Sequence, residues 1–328
     1  MTRTKKRKKT LSPIMIVGII LLSLGLLVIL SGFLISKFNL HSFCTIHYEK
    51  NGYEISDDFS SIDISTKAAD ISVLPTDGDT CRIECDEAKS VYYKISLENG
   101  KLSVSFTDER AWYEKLVSIS FSSPEVKLYL PLKEYGELAL TNATGNVNVN
   151  VAHTFSKITL SGRSGDIVCH ANAKNAILAS TTSGDIKIYD STATTCEVRT
   201  TSGKLSLWGI QATSSVSVSA QSGDIRLSAI NAKSATATAA NGKVTVIDTS
   251  PTQALTVKTT SGKVILRRVD APVISVTTDT GKVTGTLLSD KRFDVTSRHG
   301  SVNVPASHGD EICTVRTTRG SVQLEIAS

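Results

Sequence analysis

The sequence predicts an all-β solenoid of about 19–20 residues per coil, β-helix-like and preceded by one transmembrane α-helix. Three observations carry that expectation. Ten glycines recur through the second half of the chain: Gly145, Gly165, Gly184, Gly203, Gly223, Gly242, Gly262, Gly281, Gly300 and Gly320. Their spacings are 20, 19, 19, 20, 19, 20, 19, 19 and 20. Apolar residues stand two and four positions after nearly every glycine, and five and seven before it, the period-two signature of strands with one buried face. Near the N-terminus, 22 residues from Ile14 to Ile35 carry no charge.

Residues 1–13 form a basic tail. Arg3, Lys5, Lys6, Arg7, Lys8 and Lys9 fall within the first nine positions with no acid among them. Without these six, the formal net charge of +5 drops to −1 for residues 10–328. The body is therefore nearly neutral, which removes the main support for nucleic-acid binding. A tail of this kind stays on the cytoplasmic side and lies against anionic lipid headgroups, which places everything after Lys37 outside the cell.

Residues 14–36 read as the transmembrane helix, since 22 residues at 1.5 Å each span a hydrocarbon core of about 30 Å. A secretory signal peptide is the alternative. Its apolar region is shorter and ends at a small-residue cleavage site, whereas this run passes directly into Ser36-Lys37-Phe38-Asn39. Gly18, Gly25 and Gly32 recur every seven residues on one helix face, a stripe that would let two helices approach; glycine is also simply common in membrane helices.

Residues 37–54 read as a tether and residues 55–135 as an irregular, strand-rich cap. Alternation continues there in Ser61-Ile62-Asp63-Ile64, Asp70-Ile71-Ser72-Val73 and Val126-Lys127-Leu128-Tyr129-Leu130, without the strict spacing. A cap is needed because an exposed first coil is an open edge. It holds Tyr92, Tyr93, Phe106, Trp112, Tyr113 and Phe121, read either as its own core or as a binding surface.

Residues 136–328 are the regular coils. A unit of 19–20 residues cannot bury its own apolar face and must stack on its neighbours. Each unit reads as strand, glycine corner, strand and return segment, with glycine supplying a positive φ at the corner. Ile210, Ile230, Val269 and Leu288, about seven residues past their glycines, suggest a short third side.

The Ser-Gly-Asp-Ile and Ser-Gly-Lys-Val turns, Ala69-Asp70-Ile71-Ser72-Val73 and Leu130-Pro131 together resemble a bacterial β-strand-repeat family of unknown function described as candidate adhesins. The resemblance spans residues 55–328. It implies the fold and, less specifically, an adhesin-like role.

Residues that carry chemistry elsewhere point here to structure. Asp166, Asp185 and Asp224 follow corner glycines and would form a carboxylate cluster in a polysaccharide-cleaving solenoid. The same position holds Lys204, Lys243, Lys263 and Lys282, so a charge ladder with attraction between neighbours is the preferred reading. The coils lack the inserted loops from which clefts are built. Cys169, Cys196 and Cys313 fall on inward phases, and neither they nor the histidines have metal-ligand spacing. No catalytic, cofactor-binding or metal-binding residue is assigned and no cofactor is implied.

The function expected is that of a membrane-anchored cell-envelope protein whose extracellular solenoid interacts noncovalently, as an adhesin or scaffold, with the cell wall, a surface protein or itself. An enzyme acting on cell-wall polysaccharide from a site in the cap is the first alternative. A self-assembling structural polymer is the second, since the coil nearest Ser328 reads as open, with Arg316, Arg319 and Glu325 guarding it.

Overall fold

The computed structural model describes residues 12–35, 44, 46–117 and 123–327. The basic tail, most of the tether, Phe121 and Gly32 of the glycine stripe lie outside the described residues and side chains. The chain divides into two units, residues 1–47 with 111–122, and residues 48–110 with 123–328.

The first unit contains two helices. α1 (Pro13–Ile35) opens with Pro at its first position, where the missing N–H costs nothing, and with Ser12 at the cap, whose carbonyl accepts the Met15 N–H at 2.9 Å. The hydroxyls of Ser23 and Ser31 donate to the carbonyls of Ile20 and Val28, each at 2.9 Å, so both polar side chains are satisfied within the helix. Large apolar side chains are exposed all round α1, and its length and composition suffice to cross a membrane. α2 (Trp112–Val117) is one short turn whose Glu114 accepts the Ala111 N–H at 2.9 Å.

The second unit holds the strands. β1 (Glu49–Ile55), β2 (Ser61–Thr66), β3 (Asp70–Thr76), β4 (Cys81–Glu87), β5 (Val91–Glu98), β6 (Lys101–Asp108) and β7 (Glu125–Pro131) come first, followed by β8 (Tyr135–Thr144). β9 (Val147–Ser164) and β10 (Ile167–Ser183) each run from one corner glycine to the next. Beyond them a glycine separates successive strands, beginning with β10 and β11 (Ile186–Tyr189) at Gly184 and β12 (Thr192–Ser202) and β13 (Leu205–Trp208) at Gly203. β14 (Gln211–Ser222) and β15 (Ile225–Ser228) flank Gly223, β16 (Ser234–Asn241) and β17 (Val244–Thr249) flank Gly242, and β18 (Ala254–Ser261) and β19 (Val264–Val269) flank Gly262. The remaining pairs are β20 (Val273–Thr278) and β21 (Val283–Leu287), β22 (Arg292–Ser297) and β23 (Val302–Asn303), and β24 (Ile312–Thr317) and β25 (Val322–Ile326).

Successive coils pair in parallel, each strand on its equivalent one coil away, as in Val198↔Val218↔Ala237↔Val257 and Leu207↔Leu227↔Val246↔Leu266. These inward rows, before and after the glycines, are completely buried and form one continuous core. Ladders of identical phase thus satisfy the backbone laterally while the interior fills with Val, Ile, Leu and Ala.

Both ends depart from simple sequence order. At the first, β2 and β3 form a regular coil inside the range read as an irregular cap, between β8–β9 on one side and β6–β7 on the other. Antiparallel partners then cover the edge, β5 on β6 and β4 on both β7 and β1. At the other end, β24 lies between β20 and β22, and β25 between β21 and β23. The coil nearest Ser328 is therefore interior rather than open. Arg316 is not an edge guard, because it holds Asp294 of β22 through two guanidinium nitrogens, at 2.8 and 2.5 Å.

Leu288 also departs from expectation. It is 47% exposed, and Leu287 fills the core in its place. Of the cap aromatics, Tyr93 packs inside with Phe106 against it at 5.9 Å, whereas Trp112 and Tyr113 are exposed on α2 in the first unit.

Candidate functional site

The corner glycines form a ladder whose cause is steric contact between coils. A Cβ placed on Gly203 would stand 1.9 Å from the carbonyl oxygen of Gly184, and one on Gly223 would stand 1.9 Å from that of Gly203. At Gly203 φ is +150°, a conformation side chains avoid, but Gly281 requires no such φ and is still blocked at 1.7 Å by the Gly262 oxygen. Turn chemistry is thus only part of the reason for glycine. The close approach of backbones is the part common to the whole ladder.

Immediately after the glycines, the carboxylates turn back onto the backbone of the next coil. Asp166 accepts the Asp185 N–H at 2.8 Å, Asp185 that of Lys204 at 2.7 Å, and Asp224 that of Lys243 at 2.9 Å. Asn146 does the same for Asp166 at 3.0 Å with a neutral amide. The function of this position is hydrogen bonding to N–H groups at the corner, and charge pairing is secondary: Lys243 Nζ lies 3.7 Å from Asp224. A second corner follows six residues after the glycine, where Asp190, Gly209, Ala229, Asp248 and Arg268 all adopt φ between +44° and +67°. Periodic glycine does not mark this corner, because Asp, Ala and Arg occupy it as well.

The outer face of the strands that follow the glycines carries the most distinctive exposed group in the coils. β11 and β13 pair in register, so Trp208 lies directly beside Tyr189, with Ser228 on its other side and Ser206 two residues before it on β13. The serines are too small to shield the indole, and Trp208 is 49% exposed. His170 follows Cys169, which pairs with Ile188, and its Nε2 lies 4.0 Å from Asp190. Lys187 and Arg226 flank Ser206 in the adjoining row. The result is an exposed aromatic platform on a laddered backbone, with both charge signs at its margin. Sequence reasoning looked for aromatics in the cap and missed it, although Trp208, five residues after Gly203, sits on an outward phase.

Glu87 of β4 is a buried carboxylate. It accepts hydrogen bonds from Asn51 Nδ2 at 2.6 Å, the Tyr53 hydroxyl at 2.7 Å and the Tyr93 N–H at 2.7 Å. Its bond from Tyr53 pushes that phenol up to about 12. With both oxygens engaged, Glu87 ties β1, β4 and β5 together.

Cys81, Cys85, Cys169, Cys196 and Cys313 are buried thiols that burial pushes up to about 12, which makes them apolar core residues and poor nucleophiles. Among the described residues no group of three or more His, Cys, Asp or Glu is placed to hold a metal. An open groove of about 720 Å³ lies on the strands before the glycines, lined by side chains such as Ser180, Arg199, Gln221, Thr238 and Lys258.

The chain superposes on a candidate adhesin from Parabacteroides distasonis with a TM-score of 0.50 at 15% identity, covering 85% of this chain and 97% of that one. A candidate adhesin from Bacteroides fragilis gives 0.41 at 11% identity over 84% and 97%, and a candidate lipid-binding protein from P. distasonis gives 0.29 at 11% over 85% and 97%. At 15% identity the likeness to the first of these is one of fold alone. No curated protein matches the chain. The family model described as Toastrack DUF4097 matches residues 59–264 and 211–328, which together cover every regular coil and most of the cap, and the chain belongs to that family.

Proposed function

We propose that this chain is a membrane-anchored cell-envelope protein, with its basic tail cytoplasmic and its solenoid outside, that binds a cell-wall or surface partner noncovalently and without catalysis. The observation that carries the reading is the Trp208 platform. It is a half-exposed indole beside Tyr189 on strands whose backbones are laddered on both sides, so the backbone beneath it needs no reordering on binding. The open grooves suit an extended partner better than an enclosed substrate. The basic N-terminal residues and the 23-residue apolar helix support the anchor and its orientation.

The test uses the full chain in nanodiscs of zwitterionic lipid, co-sedimented with purified cell-wall sacculi. Wild-type protein is expected to sediment with them, and Trp208→Ala, a change at an exposed site that leaves the core untouched, should weaken binding about tenfold, or about 1.4 kcal/mol. Release of soluble saccharide during incubation would establish the enzyme reading instead. Absence of the wild-type protein from the pellet would dispose of the wall-binding reading.

A further inference from the structure

Farther along the same outer face, the ladder after the glycines stops alternating in sign. Asp185, Lys204, Asp224 and Lys243 alternate, but Lys243, Lys263 and Lys282 are consecutive cations on adjoining coils. The backbone places them in contact distance of one coil, since Val244 N–H bonds to the Lys263 carbonyl and Val264 N–H to that of Lys282, both at 3.0 Å. Like charges so stacked oppose folding unless something neutralises them. The coils have a means of doing so, because Asp224 occupies this row one coil earlier and lies 3.7 Å from Lys243 Nζ. Among the described residues, Lys263, Lys282 and Arg267 make no ion pair, whereas neighbouring Arg268 is held by both oxygens of Asp248.

The cations border a concavity. A groove of about 440 Å³ crosses β19, β21 and β25, with Lys263 and Arg267 at its margins and Thr284, Thr286 and Gln323 offering hydrogen bonds along it. Gly285 contributes backbone to this wall, and its Cα faces the core, where a Cβ would meet the buried Leu266 and Leu324. Glu325 is the one acid lining the groove.

We infer that this groove, extended by the Lys282 and Lys243 side chains, binds the phosphate groups of a linear, phosphate-bearing polymer at the cell surface. The inference deepens the noncovalent-binding reading and rests on it for the location of the solenoid outside the membrane. Phosphate is favoured over carboxylate because it offers more acceptor oxygens and more charge to a convergent set of Lys, Arg and Thr donors. A row of cations repeating at the coil spacing of about 4.8 Å, along the direction in which coils stack, suits a chain with repeated charges better than a single small anion.

Full-length protein in zwitterionic nanodiscs, titrated with linear inorganic polyphosphate, tests it. Wild-type protein should bind, with affinity falling as salt is raised, and Lys263→Glu/Arg267→Glu/Lys282→Glu should weaken binding at least tenfold. Lys50→Glu/Lys67→Glu/Lys89→Glu imposes the same change in net charge at other exposed positions, so it should retain binding within about threefold. Equal loss in the two triple variants, equal affinity for polygalacturonate, or binding to anionic-lipid vesicles without binding to polyphosphate would overturn the inference. Loss of native β-sheet circular dichroism in the groove variant would shift the test to Lys263→Gln/Lys282→Gln, which should still weaken binding at least threefold and overturns the proposal if it does not. Sedimentation of wild-type protein with sacculi but no affinity for polyphosphate would defeat this inference and leave the wall-binding reading standing.

Discussion

Replacing Gly203 by alanine adds one methyl group and should destabilise the coils about as much as truncating a large core side chain. The new Cβ would lie 1.9 Å from the Gly184 oxygen, 2.6 Å from its carbonyl carbon and 3.3 Å from the Asp185 nitrogen, all of them backbone atoms with no rotamer of escape. Ordinary contact lies beyond about 3.4 Å, so the two corners must part by more than 1 Å. That motion strains the flanking bonds from Gly203 N–H to the Ser222 carbonyl and from Gly184 N–H to the Ser202 carbonyl, at 3.0 and 2.9 Å. Backbone strain at φ of +150° contributes about 1–3 kcal/mol, and weakening two ladder bonds about 1 kcal/mol each, for a loss of about 3–5 kcal/mol. Urea unfolding of the full chain in detergent, followed by circular dichroism, measures it. Gly52→Ala is the internal control, because a Cβ there meets nothing within 4 Å and alanine reduces the entropy of the unfolded chain. If Gly203→Ala and Gly52→Ala have midpoints equivalent to within about 0.5 kcal/mol, the steric account of the glycine ladder is wrong.

The corner carboxylates separate capping from charge. Asp224→Asn keeps an acceptor for the Lys243 N–H and should be nearly neutral, whereas Asp224→Ala should cost about 1 kcal/mol in the same assay. Lys291 is completely buried, donating to Asp270 at 2.5 Å and also to Glu311, so Lys291→Met should destabilise the end coils by about 2 kcal/mol, less than a fully buried pair would lose because both carboxylates remain partly exposed. Burial opposes its charge, but the hydrogen bonds it donates to the two carboxylates outweigh that and hold its pKa above the ordinary lysine value; burial likewise opposes the charge of Asp270, and the hydrogen bonds from Lys291 and Ser289 outweigh it and hold the carboxyl low. Stability from Lys291 is therefore fully present below the unfolded lysine pKa and lost as pH rises through its folded value, while that from Asp270 is present above the unfolded carboxylate pKa and lost as pH falls through its folded value. Unfolding midpoints of wild type should fall at both extremes more steeply than those of Lys291→Met. Thiol alkylation at pH 8 should leave Cys169 and Cys196 unmodified in the native protein and label them after urea unfolding, and rapid native labelling would contradict their burial.

The solenoid was legible because its period is enforced locally. Every coil repeats the same requirements, glycine at the corner and apolar residues at fixed phases, so Val198, Val218 and Leu227 could be assigned inward from spacing alone. The exposure of Trp208 was legible by the same rule. Its significance was not, since recognising a platform requires knowing that Tyr189 lies beside it and that Ser206 and Ser228 leave it open, and pairing across 19 or 20 residues is a fact of register.

Sequence by itself determined the coil length, the inward rows, the apolar helix and the concentration of positive charge before it. Tertiary structure alone decided the order of the last coils. β22 and β24 carry similar alternation, and periodicity assigns them only to consecutive coils along the chain. Placing β24 inside buries Cys313, Val315, Val322 and Leu324, leaves the less completely buried Phe293 and Val295 on the outer coil, and brings Lys291 between Asp270 and Glu311. Those contacts join residues about 20 positions apart on three different return segments. A repeat states what each coil needs, and only packing determines which neighbour supplies it.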